Sequence, residues 1–216
     1  LVFGNIAGLS TDGSPQFAFY LCSNAIWSYF ATSLTNTSNT FTANANILGK
    51  VYFPRLVMPI SAVITGSLDL WIQLGILAVV LVYYAIVGTP ISFTAMLLVS
   101  PLIIIQVALL GLGCGIIIAA CTTKYRDLVI LVSFGVQLWM YASPVVYTTA
   151  VISENLRGIY MLNPMAPIIS CWRYAILGTG EFPMGYWGIS WIVTFVILFI
   201  GVMLFSHIEK TFMDTV

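Results

Sequence analysis

Asp69 stands near the middle of a long apolar run, a setting in which an ionised carboxylate costs about 2.5–3.5 kcal/mol unless it is paired or wetted. It therefore belongs either against protein as a hydrogen-bonding group or along a water-filled path. Gln73, Gln106 and Gln137 are its candidate polar companions inside a helical bundle. Residues suited to covalent or acid–base chemistry are sparse. His207 is the only histidine, at the end of the last apolar run, and reads as a hydrogen-bonded interface residue. Cys22, Cys114, Cys121 and Cys171 have neither CxxC nor metal-ligand spacing and read as packing residues. No lysine follows the glycines of a phosphate-binding loop, so the chain does not hydrolyse ATP by that route. Gly111, Gly113 and Gly115 imitate such a loop only superficially, because no strand precedes them and their spacing is the small-xxx-small pattern of close helix packing. A membrane enzyme such as a glycan polymerase or acyltransferase would need acidic, basic or histidine side chains converging at one membrane face. The sparse charges supply no such set.

The elements that hold these residues follow from composition. Hydrophobic residues make up 60% of the chain and charged residues 6%, with a mean hydropathy of +1.03; a soluble domain is about 25% charged. Lipid is the solvent that fits. The formal net charge of zero gives no reason to expect a nucleic-acid partner. Apolar runs cover 17–38, 56–87, 91–121, 128–149 and 187–207, about five complete crossings at about twenty residues each. Residues 1–7 are too short to cross and read as the outer end of a truncated first span, with no basic region ahead of them to make a signal peptide. Lipid cannot satisfy free backbone amides, so the spans are helices and the fold is an all-α polytopic bundle. The second and third runs exceed the minimum length, which predicts tilt or broken ends.

Basic residues set the orientation. Lys50 and Arg55 share one connection, Lys124 and Arg126 another, and Lys210 follows the last run, whereas the turn at 88–90 has none. The basic connections are expected in the cytoplasm, with the C-terminus, and 8–16 and 150–186 outside. Arg157 and Arg173 fall in that outer segment accompanied by Glu154 and Glu181. Within it, 159–177 is apolar enough to imitate a crossing, but Asn163-Pro164, Pro167 and Arg173 predict short broken helices dipping in from outside.

Between the first two complete runs, Phe41, Ala45, Leu48 and Tyr52 recur at helical spacing with Asn39, Asn46 and Lys50 opposite, which predicts an amphipathic helix over 40–53. Periodicity leaves two roles open for it, resting on headgroups or docking a cytoplasmic partner. The cluster Lys124-Tyr125-Arg126-Asp127 is likewise a topology anchor or a partner contact, and Asp127 is placed to cap the next helix. Aromatics are 14% of the chain and gather at run ends, among them Trp27, Tyr29, Phe30, Tyr141, Tyr147 and Trp172. An interfacial belt accounts for most of them, and a minority suit a path for sugars, whose C–H faces stack on rings.

The ordered motifs Leu1-Val2-Phe3-Gly4, Asp12-Gly13, Trp27-Ser28-Tyr29-Phe30, Asn44-Ala45-Asn46 and Lys50-Val51-Tyr52-Phe53-Pro54-Arg55 continue through Tyr125-Arg126-Asp127, Ser143-Pro144-Val145 and Asn163-Pro164. Together they span nearly the whole chain, which resembles the permease subunits of ATP-binding-cassette exporters for polysaccharides and polyol phosphates. The family carries an amphipathic cytoplasmic helix and a complete first crossing that this sequence lacks. The resemblance implies a bundle of about six crossings that pairs with itself and sits on two copies of a nucleotide-binding subunit. ATP and magnesium would be bound there, and this chain would bind no cofactor. It also implies that 40–53 is the coupling helix, with Asn44, Asn46, Lys50, Arg55, Arg126 and Asp127 as the residues facing the ATPase. By the same resemblance 150–186 holds the outer gate, and Asp69, Trp27, Tyr29, Phe30, Tyr141, Tyr147, Asn163, Trp172 and Arg173 are candidates for the path or gate. The implied substrate is a lipid-linked or lipid-anchored glycan of O-antigen, capsule or teichoic acid type, moved across the bacterial cytoplasmic membrane. A permease of the same superfamily for drugs or lipids is the alternative.

Overall fold

The computed structural model of this protein describes residues 13–43, 56–88, 95–124 and 128–213. Among the described residues all regular structure is helical, as a chain this apolar requires in lipid. The helices are α1 (Gln16–Ala43), α2 (Val57–Val87), α3 (Ser100–Lys124), α4 (Leu128–Tyr141), α5 (Glu154–Tyr160), α6 (Met165–Leu177) and α7 (Met184–Met213), with 3₁₀ turns at Ala95–Val99 and Thr149–Val151. Three stretches, Val57–Val87, Met96–Thr122 and Met184–Ser206, are long and apolar enough to cross a membrane. The 28 residues of α1 match them in length, but serine, threonine and asparagine dilute its apolar character.

Helix α1 is the axis of the bundle and packs against α2, α3, α6 and α4. Ala18, Phe19, Cys22, Ala25, Ile26, Phe30 and Leu34 are buried along it. Helix α2 shows the opposite pattern, burying only the narrow stripe Pro59, Val63, Gly66, Leu70, Leu77 and Leu81 and leaving the rest of its apolar surface outward. It stops at Gly88, whose φ of 85° is left-handed and costs a glycine nothing.

Small residues set the distance between α1, α3 and α7. A Cβ added at Gly115 would lie 2.4 Å from the Thr37 Cβ, and one at Gly111 2.8 Å from the Ser33 Cβ. Gly113 points elsewhere, toward α7, where a Cβ on Gly201 would lie 2.9 Å from the Gly113 carbonyl oxygen. The glycine run is thus two seams on one helix, as the small-xxx-small spacing predicts.

The run over 128–149 is helical only as far as Tyr141, 14 residues or about 21 Å of rise, short of a hydrocarbon core of about 30 Å. Pro144 lacks an N–H and disfavours the helical conformation of the residue before it, so 142–147 turns instead. The expected break within 159–177 falls at 161–164, between α5 and α6. Helix α6 is then buried along nearly its whole length, against one end of α1, α3 and α7. Of the expected amphipathic helix, Thr40–Ala43 continues α1; its remainder and residues 1–7 lie outside the described residues.

Candidate functional site

Polar side chains gather in two places, and each is built differently. At the end of the bundle occupied by α5 and α6, Asn163 precedes Pro164 and closes the connection between the two helices. Its Oδ1 accepts from Trp139 Nε1 at 2.9 Å and from the Met165 N–H at 3.1 Å. Its Nδ2 donates to the Ala142 carbonyl at 3.1 Å and to Ser143 Oγ at 3.0 Å. Two donors and two acceptors are all that an amide side chain has, so Asn163 is saturated. Arg173, from α6, is 5% exposed. Its Nη1 donates to the carbonyls of Pro144 at 3.1 Å and Tyr147 at 3.2 Å, and the guanidinium lies 4.5 Å from the centroid of the Phe19 ring on α1. The carbonyls released where α4 stops are therefore taken up by side chains of the helix pair.

The same junction includes Tyr160, whose hydroxyl donates to Tyr147 at 3.0 Å, while Tyr147 donates to the Tyr141 carbonyl at 3.0 Å. Burial, reinforced by Tyr147, raises the Tyr160 phenol well above its ordinary pKa. Trp172 is buried and donates to the Cys22 carbonyl at 3.0 Å. Gln106 donates to Ser190 Oγ at 2.9 Å and accepts from Trp187 Nε1 at 2.7 Å, and Ser190 donates to the Pro164 carbonyl at 2.9 Å. Together these bonds tie α3, α6 and α7 at one level. Tyr141, Tyr147, Asn163, Trp172 and Arg173, singled out from the sequence, are all part of this assembly at the α5–α6 end. Tyr141 is 56% exposed.

The second place is a lane along α1. Helix α2 meets α1 at Ser28 and Thr32, through Gln73 and Gly66. Helix α4 meets it at Trp27 and Phe30, with Trp139 rings 6.5 and 5.1 Å away. Between those contacts Tyr20, Asn24, Ser28 and Thr35 recur at helical spacing, Asn24 exposed and the others half-buried. Gln73 Nε2 donates to Ser28 Oγ at 3.4 Å. The Tyr20 hydroxyl and Gln73 Oε1 are shielded from solvent and have no partner among the described residues. Asp69, one turn before Gln73 on α2, is exposed. Asn24 on the lane and Asp69 on its α2 flank present polar groups outward, as a surface in contact with water does, while the Tyr20 hydroxyl and Gln73 Oε1 lie beneath it.

Of the companions expected for Asp69, only Gln73 shares its flank. Gln106 belongs to the assembly at the α5–α6 end and Gln137 is exposed on α4. Trp27, Tyr29 and Phe30 are each at most 4% exposed; Trp27 and Phe30 pack with Trp139 between α1 and α4. Asn44, Asn46, Lys50, Arg55, Arg126 and Asp127 lie outside the described residues. Asn24 and Thr35 were not singled out from the sequence, although the four-residue recurrence of polar types from Tyr20 to Ser28 carries the signal. The Trp187–Gln106–Ser190 chain had none, because Gln106 lies more than 80 positions from the other two.

Comparison with known proteins places these features in context. The ABC-2 type transporter family matches residues 1–177. The chain is 30% identical over 201 residues to an O-antigen export system permease protein RfbA of Klebsiella pneumoniae, covering 93% of this chain and 76% of that protein. A second Klebsiella pneumoniae protein of the same description is 29% identical over the same length. One from Myxococcus xanthus is 28% identical over 162 residues, 74% of this chain and 60% of the relative.

Proposed function

This chain belongs to the ABC-2 type transporter family as a multi-pass exporter permease rather than an enzyme, served by an ATP-binding partner subunit, and from that premise we propose that it carries a lipid-linked O-antigen-type glycan across the cytoplasmic membrane. Two copies of the chain stand on two copies of the ATPase, which hold ATP and magnesium. The C-terminus and the basic connections face the cytoplasm. The observation that carries this reading is the lane on α1: Tyr20, Asn24, Ser28 and Thr35, flanked by Asp69 and Gln73, form a polar track along one side of that helix. A hydroxyl-rich cargo finds exchangeable hydrogen bonds there, whereas a drug or lipid needs none. The similarity to O-antigen export permeases supports O-antigen over capsule or teichoic acid.

The stroke begins at the segment 40–53, proposed as the coupling helix, with Asn44, Asn46, Lys50 and Arg55 and the corner residues Arg126 and Asp127 facing the ATPase. Helix α1 runs directly out of that segment, and α4 begins beside the corner. At its other end α4 is bonded to α5 and α6 through Asn163 and Arg173, so displacement at the cytoplasmic face reaches the outer helix pair through hydrogen bonds already in place.

The test is export by the reconstituted complex in cells lacking their own exporter, read as glycan on the cell surface. Asn24→Leu with Thr35→Leu is expected to lower export at least tenfold while ATP turnover continues. Full export from that variant would remove the lane from the path. Stimulation of ATP turnover by hydrophobic drugs, with none by glycan-lipid, would assign the complex to the other substrate class.

A further inference from the structure

A cavity of about 600 Å³ opens at the same end as α5 and α6, between α5 and the start of α7, within the range of about 300–1,000 Å³ typical of small-ligand sites. Its lining includes Arg157 on α5, Met161 just past the end of that helix, and Glu181, Tyr186 and Ile189 from the approach to α7 and its first turns. Met161 forms a closed apolar floor at 2% exposure, while Tyr186 is 37% exposed. Arg157 Nη2 donates to Glu181 Oε2, and the two side chains are 32% and 69% exposed. The Tyr186 hydroxyl lies 3.9 Å from where a Cβ on Gly158 would stand, which puts the tip of the ring beside α5.

The polar chemistry of this cavity is specific. A guanidinium has five N–H donors and a carboxylate about four acceptor positions, and a single bond between them leaves most of both directed outward. Vicinal hydroxyls can accept from Arg157 and donate to Glu181 together without breaking the pair. A phosphate or carboxylate ligand at Arg157 would instead stand beside the like charge of Glu181. Beside the pair, the Tyr186 ring gives an apolar face with a polar tip, matched to a pyranose that turns C–H bonds to one side and hydroxyls to the other. None of these side chains takes part in the hydrogen bonds that join α4, α5 and α6, so the cavity is separable from the architecture around it.

We propose that this cavity is a saccharide-binding site on the outer face, taking an uncharged, hydroxyl-rich segment of the glycan as it leaves the membrane and hindering its slip back. The proposal rests on the glycan-export reading given above.

Met184 lines the cavity and is 72% exposed, which suits it to photo-crosslinking. Met184→p-benzoylphenylalanine in the full permease–ATPase complex, irradiated in cells producing the glycan, is expected to give a carbohydrate-positive adduct that is lost when the ATPase is inactivated. Arg157→Ala with Glu181→Gln should reduce the adduct at least fivefold, and Tyr186→Ala should lower surface glycan about fivefold at unchanged ATP turnover, with Tyr186→Phe restoring most of it. An adduct with phospholipid alone, or none, in cells that export normally would overturn the site. Absence of export by the wild-type complex would instead sink the glycan reading, so the two failures are distinguishable.

Discussion

The α5–α6 junction and the α1 lane draw on the same residue types and use them in opposite ways. At the junction, Asn163 makes four hydrogen bonds and Arg173 two to backbone carbonyls, all within the chain. In the lane, Asn24 and Asp69 face outward, and the Tyr20 hydroxyl and Gln73 Oε1 find no partner among the described residues. Polar groups in an apolar chain thus divide by whether the fold itself satisfies them. Asn163 and Arg173 hold helices together through bonds within the chain, whereas exposed groups such as Asn24 and Asp69 are open to water.

The sharpest way to break this contrast is at Arg173. Arg173→Leu removes charge-assisted bonds to two buried carbonyls and should cost on the order of 4 kcal/mol, seen as loss of monodisperse protein in detergent. Asn163→Leu leaves the Trp139 and Met165 N–H groups and the Ala142 carbonyl without their partner. A loss of about 3 kcal/mol is expected in a thermal melt followed by size exclusion. Gly115→Val drives a side chain into Thr37 and should cost about 1–3 kcal/mol by the same assay. Asp69→Asn belongs to the other class: its melting point should hold to within about 0.5 kcal/mol while surface glycan falls severalfold. A melt shift as large as that of Gly115→Val would place Asp69 with the architecture instead. The smallest effect concerns pH. Because Tyr160 has a raised folded-state pKa, its stabilising contribution is complete below about pH 10 and is lost only as the pH rises further. Melts between pH 6 and 9 should therefore coincide for the wild type and Tyr160→Phe apart from a constant offset.

Much of the junction's outline is readable from sequence, because Asn163-Pro164 and Pro144 are local signals whose consequence is local. Proline removes a donor wherever it stands, and the helix breaks fall beside these residues. The seam on α3 is legible for a similar reason, since four-residue spacing of small residues is itself a contact pattern. The partners are not legible. Trp172 reaches Cys22 across 150 positions and Gln106 reaches Ser190 across 84; only Gln73, four residues after Asp69 on one helix, is marked as its neighbour by periodicity. The same holds for aromatics: Trp27 and Phe30 are of a type that suits a path for sugars, and nothing in their sequence context marks Trp139 as the ring that packs onto both. Burial by a neighbour is settled by the tertiary arrangement and leaves no mark on the buried residue's own sequence context.

Helix α1 runs unbroken from Gln16 to Ala43 with neither glycine nor proline inside it, about 42 Å at 1.5 Å per residue. Such a rod has no hinge at which to absorb a push. A few degrees of tilt imposed near Ala43 must emerge as an ångström-scale swing near Tyr20. Under the coupling proposed for 40–53, the helix would work as a lever whose fulcrum is the pair of tight contacts at Ser33 and Thr37, much nearer Ala43 than Tyr20. Movement would be magnified toward the Tyr20 end, and the force available there reduced in proportion.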